Sequence, residues 1–190
     1  MGGVQSGIMN PDRELDIHVL ETTAYRRMRE KGLCDRGIVP HFLGSMRKFD
    51  PSSCKPYLRK FLEDEYPPSA LFLEYIPNME TIHLGNFTPQ RAEKLVQGIR
   101  EIHKALVLHK DPKPRNMILA TDPNEGERSM EERILWIDFD RAETYDEDKI
   151  TDEEKGWIEE EEQIVCEFKQ FMEADCKTGK IERAYLFYCT

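Results

Sequence analysis

Two short apolar runs, 117–120 (Met-Ile-Leu-Ala) and 134–138 (Ile-Leu-Trp-Ile-Asp), constrain this chain more tightly than anything else in it. Runs of this length bounded by polar loops read as strands. Paired in one small sheet, they set Asn116, just ahead of the first, beside Asp138, at the end of the second. The segment feeding the first run carries His109, Asp111, Lys113 and Asn116 in a loop stiffened by Pro112 and Pro114. The second run continues as Asp138-Phe139-Asp140. Distant sequence positions thereby converge on one space the size of a metal ion.

Composition narrows the class. With 190 residues, 39% hydrophobic and 34% charged, the chain can build a real core under a wet surface. No apolar run approaches the roughly 20 residues of a membrane helix. A net charge of −10 opposes a broad nucleic-acid surface. The five cysteines (Cys34, Cys54, Cys166, Cys176, Cys189) are odd in number and never spaced C-x-x-C. That suits reduced thiols and a cytoplasmic protein better than a disulfide framework or a zinc site. The first twenty residues lack a basic start and an apolar run, so no secretory leader is expected. Met1-Gly2-Gly3-Val4-Gln5-Ser6 fits the N-myristoylation template, and equally fits a plain glycine-rich tail.

The rest divides into alternating elements. Residues 1–12 read as a flexible start, and 13–31 as a helix with Leu15, Leu20, Tyr25 and Met28 at helical spacing and Gly32 as a stop. A strand is expected within 37–49, an irregular charged connection over 54–70, and a second strand over 70–77. Thr88 and Pro89 start a helix that runs to Leu106, with His103 on its apolar stripe as a core histidine. A polar loop over 121–132 joins the two central strands. Thr151 and Glu154 form a capping box ahead of a long amphipathic helix to about residue 175. The acids 159–162 read as a solvated face of that helix. Residues 184–188 form an apolar tail.

The pattern His109-x-Asp111-x-x-x-x-Asn116, followed by Asp138-Phe139, resembles the catalytic-loop and metal motifs of the protein-kinase-like superfamily. The chain is most similar to the short kinase-like proteins common in fungal genomes, and more distantly to choline and aminoglycoside kinases. The resemblance spans about residues 21–142. It implies an α+β, two-lobed fold: a reduced N-terminal lobe over 13–77, then a shortened, mainly helical lobe over 78–190. It implies ATP and Mg²⁺ as cofactors and a small-molecule substrate or protein partner. Asp111 would be the catalytic base, Lys113 a phosphate contact, and Asn116 and Asp138 the Mg²⁺ ligands, with Asp140 as a further acid. Glu74 and Ile76 would hold adenine through their backbones, and Glu21 would be the helix glutamate that pairs with a phosphate-binding lysine.

The sequence departs from the family pattern in ways that keep three readings open. Residues 1–20 contain no lysine, so Glu21 lacks its usual partner unless Arg13 or Lys31 replaces it. Asp140 stands where the family has glycine, where it either binds a further ion or raises a neighbour's pKa. Few residues follow to grip a protein substrate. The readings are a small-molecule phosphotransferase, a non-catalytic kinase-like binding module, and an enzyme reusing Asp111, Asp138 and Asp140 without ATP. An uncovered sheet edge is expected to be closed by self-association as a homodimer, or by the tail.

Overall fold

The computed structural model describes residues 16–121 and 132–189. The expectations for residues 1–12, for Gly2 and for most of the 121–132 loop lie outside them. Helices and small antiparallel sheets are both present, which places the chain in the α+β class.

The first helix, α1 (Ile17–Glu30), starts where the Asp16 carboxylate accepts a hydrogen bond from the His18 amide. It buries Thr22, Ala24, Tyr25 and Met28, and Gly32, at φ 73°, turns the chain away as expected. Strands β1 (Phe42–Met46) and β2 (Ala70–Leu73) pair antiparallel, with a bulge between Phe42 and Gly44. Two single 3₁₀ turns occupy the charged connection between them.

A second sheet holds the two central strands. Its order is β3 (Met79–Thr81), β5 (Met117–Thr121), β6 (Glu132–Trp136), all antiparallel. Register runs from Met117 opposite Trp136 to Thr121 opposite Glu132. Helix α2 (Pro89–Lys104) opens with the Thr88 hydroxyl accepting from the Arg91 amide. It lies across β6, and the Trp136 indole N–H donates to the Leu95 carbonyl at 3.1 Å. A Cβ on Gly98 would meet that indole at 3.1 Å, so only glycine lets helix and ring approach this closely.

One pairing is too short to read from sequence: β4 (Val107–Leu108) joins β7 (Glu143–Thr144) as a two-residue ladder. It ties the entrance of the 109–116 loop to the segment after Asp140. Helix α3 (Asp152–Thr178) has the anticipated capping box and continues past residue 175 to Gly179, which ends it at φ 70°. Its Val165, Phe168 and Met172 join a core with Tyr25, Ile99, Trp136 and Phe139. The tail becomes a short helix, α4 (Tyr185–Tyr188). The Asp175 carboxylate accepts from the amides of Glu182, Arg183 and Ala184 and folds the tail back. Phe187 then packs on Phe168 and Phe171, and the Tyr188 hydroxyl donates to the Ile82 carbonyl. The tail therefore covers α3, and the expectation that it closes the β1–β2 edge is corrected. No described helix is long and apolar enough to cross a membrane.

Candidate functional site

The site is built where β4 and β6 end. After Leu108 the chain passes through His109 and Lys110, the latter at φ 65°, and reaches Asp111. The turn is pinned from behind by Glu161 on α3. Its carboxylate accepts from the His109 amide at 2.9 Å, the Lys110 amide at 2.6 Å and His103 Nε2 at 2.8 Å. Glu161 is 4% exposed, so the reading of 159–162 as a solvated face fails at this residue. The reason is periodic. Positions 161, 165, 168 and 172 lie on one side of a helix, and that side meets the core.

His109 itself is fully buried and donates from Nε2 to the Ile137 carbonyl at 3.1 Å. Burial pushes its pKa down, which keeps the ring neutral and suits a fixed positioning role. Its ring lies 4.5 Å from Phe139, centre to centre. Phe139 meets Tyr25 edge-on at 5.2 Å, and Tyr25 stacks on Phe42 at 6.2 Å. Four aromatic rings thus run as one column from β1 through α1 to the two loops of the site.

Within the loop, Asn116 Nδ2 donates to Asp111 Oδ2 and to the Asp111 carbonyl, each at 2.9 Å. Arg115 Nη2 reaches both Asp111 carboxylate oxygens, at 3.0 and 2.8 Å. The Ile137 amide donates to the Asn116 carbonyl at 3.1 Å, so Asn116 and Asp138 leave β5 and β6 at one place. Asp138 holds a left-handed φ of 67°, a conformation that Asp tolerates better than most residues and that often marks functional turns. Its carboxyl is pushed up by burial and by Asp140, with Asp111 adding to the effect.

Glu21 faces the same turn. Burial, then the charges of Asp138 and Asp140, push its carboxyl up to about 7, and the Phe139 amide offers it one compensating hydrogen bond. The folded chain therefore holds a proton that the unfolded chain, with an ordinary glutamate near 4.5, has released. Stability from this group is full below the unfolded value and is lost as pH rises through about 7. Glu21→Gln mimics the protonated acid and removes that loss. It is expected to be about 1–2 kcal/mol more stable than the parent at pH 8, after discounting for partial exposure, and equal to it at pH 4. Urea unfolding at both pH values checks this, and equal stability at pH 8 contradicts it.

Of the residues singled out in the sequence, Glu21, Asp111, Asn116, Asp138 and Asp140 come together around this turn. Lys113 points elsewhere, its Nζ donating to the Cys189 carbonyl at 3.1 Å. The Glu74 side chain pairs with Arg133 and accepts from the His41 amide, while the Ile76 side chain is buried with Ile118 and Leu135. The Glu74 carbonyl and the Ile76 amide make no hydrogen bond among the described residues. Arg115, Tyr25 and Glu161 were not legible as parts of the site.

The chemistry open to this arrangement is that of hard oxygen donors. The Asn116 side-chain oxygen and the Asp138 carboxylate suit Mg²⁺, which needs few protein ligands when phosphates and waters complete its shell. No group of three or more His, Cys, Asp or Glu side chains among the described residues is placed to hold a metal alone. A separate hollow of about 460 Å³, lined by Arg27, Glu30, Lys31, Lys104 and Glu147, shares none of these residues. Compared with protein-family models, curated proteins and solved structures, the chain finds no match among any of them.

Proposed function

We propose that the chain is a kinase-like protein with a reduced N-terminal lobe, and that it binds ATP and Mg²⁺ to phosphorylate a small molecule. One observation carries the reading. The strand ends bring Asn116 and Asp138 to one place, and Asn116 holds the Asp111 carboxylate beside them. Asn116, Asp138 and Asp140 are the residues that would hold Mg²⁺, which supplies charge neutralisation on nucleotide phosphates. The unengaged backbone groups at Glu74 and Ile76 support an adenine edge at the end of β2. Asp111 orients an acceptor hydroxyl and takes its proton. His109 and Glu161 fix the loop that carries Asp111.

The test is transfer of labelled phosphate from ATP to a panel of alcohols, amino alcohols and sugars. Asp111→Asn is expected to lower turnover by about 10²–10⁴-fold. Unchanged turnover, or no transfer to any acceptor class, contradicts a catalytic role.

A second reading, a non-catalytic binding module, draws on the same loop. Arg115 neutralises Asp111, and Lys113 is occupied by the chain's own Cys189 carbonyl. In that reading nucleotide or phosphorylated ligand binds without transfer.

A further inference from the structure

The segment that follows α3 is held unevenly along its length. At its root the Asp175 carboxylate, only 2% exposed, accepts from the amides of Glu182, Arg183 and Ala184 at 2.9, 3.0 and 2.9 Å. Ala184 itself is fully buried. Beyond it the grip loosens. Helix α4 is four residues long and has no side-chain cap, and so short a helix has no stability of its own. Its Tyr185 and Leu186 are 59% and 77% exposed. Phe187 and Tyr188 turn inward, both onto Phe168. The tip therefore depends on a few side-chain contacts, while the root is fixed by a buried charge.

This lightly held tip meets the Asp111 loop in three places. Helix α4 packs against the 3₁₀ turn Pro114–Asn116. The Lys113 ammonium donates to the Cys189 carbonyl at 3.1 Å. The Tyr188 hydroxyl donates to the Ile82 carbonyl at 3.2 Å, and the Ile82 amide donates in turn to the Met117 carbonyl at 3.0 Å, one residue past Asn116. The loop is thus gripped twice. Glu161 holds its first half, at His109 and Lys110, and the tip holds its second half, at residues 113–117. The two grips differ in strength. The Glu161 bonds lie in the core, where water does not compete for a charged acceptor. The Lys113 bond lies at the surface, where water exchanges for the carbonyl at little cost, and the Tyr188 bond joins two neutral groups.

We propose that residues 185–189 form a strap that swings about Ala184, and that the conformation described is its closed state. Closed, the strap stiffens residues 113–117 and ties Lys113 away from Asp111, whose carboxylate pairs with Arg115 instead. Open, it frees the Lys113 ammonium and the Ile82 carbonyl, while the root stays bound to Asp175 and returns the tip to the same seat. The strap rests on contacts that stand without the phosphotransferase reading. Its use as a brake rests on that reading: a ligand that needs the loop open binds with an affinity reduced by the open fraction.

The test compares the full chain with Tyr188→Ala, which removes the inward ring and its bond, and with Tyr188→Phe, which removes the bond alone. Each protein is labelled briefly with acetic anhydride, and acetylation of Lys113 is read by mass spectrometry against the exposed Lys149. Lys113 is expected to react about 5-fold faster or more in Tyr188→Ala, and by a smaller factor in Tyr188→Phe. Amide hydrogen exchange should quicken about 10-fold or more at Lys113 and Asn116 and keep the parent's rate at His109 and Lys110. Unchanged reactivity of Lys113 overturns the strap. So does equal acceleration at residues 109 and 110, because the variant has then lost stability as a whole. Calorimetry with Mg²⁺-ATP decides the brake: binding about 3-fold tighter or more by Tyr188→Ala supports it, and equal affinity overturns it. Binding by neither protein refutes the phosphotransferase reading and the brake together, and acetylation and exchange still decide the strap.

Discussion

Replacing Glu161 by alanine is expected to destabilise the chain by about 3–5 kcal/mol. The carboxylate is 4% exposed and receives three hydrogen bonds, from two backbone amides and one histidine. Removing it leaves the His109 and Lys110 amides buried without a partner, each at a cost of about 1–3 kcal/mol. It also strands His103, whose Nδ1 already lacks a partner among the described residues. Truncating one member of such a buried set typically costs this much. Glu161→Gln keeps the volume but turns one acceptor into a donor facing amides, and an intermediate loss is expected. Urea denaturation of both variants checks the order, and a loss under about 1 kcal/mol for alanine contradicts the anchoring role. Hydrogen exchange at residues 109–111 should speed up, because the loop that presents Asp111 hangs from this carboxylate.

Phe139→Ala is expected to cost a similar 3–5 kcal/mol. Its ring is fully buried and touches Tyr25 on α1 and His109 on the 109–116 loop. The aromatic column therefore loses its middle member, and the cavity separates α1 from the two loops. Phe139→Leu, which refills part of the volume, should cost much less. Both variants also report on Asp138, whose left-handed backbone precedes the ring. With that ring gone, the turn keeps its backbone hydrogen bonds but loses its packing on Tyr25 and His109, and any affinity for Mg²⁺-nucleotide should fall with stability. Thermal and urea unfolding measure the first effect; stability equal to the parent's contradicts the column as a structural element.

Much of this could be read from the chain, and the failures have physical causes. Thr88-Pro89 and the Thr151–Glu154 box mark helix starts because capping is a local interaction, settled within four residues. The two central strands were legible because short apolar runs between polar loops have few other solutions. Glu161 was hidden because adjacent acids look alike in a run, and only the helical period singles it out. Strands β4 and β7, at two residues each, carry no pattern to detect. Arg115 and Lys113 were unreadable for another reason. A long basic side chain reaches many partners, and only the folded loop selects Asp111 for one and the Cys189 carbonyl for the other. The tail's place on α3 depends on Asp175 gathering three amides, a contact that composition does not announce.

The central claim is that the ends of β5 and β6 form a phosphate site that works through Mg²⁺. Calorimetric titration with ATP, in the presence and absence of Mg²⁺, tests it on the parent chain and on Asp138→Asn. The account predicts binding that requires Mg²⁺ and is lost in the variant. Absence of binding to the parent, or binding that Asp138→Asn leaves unchanged, contradicts it.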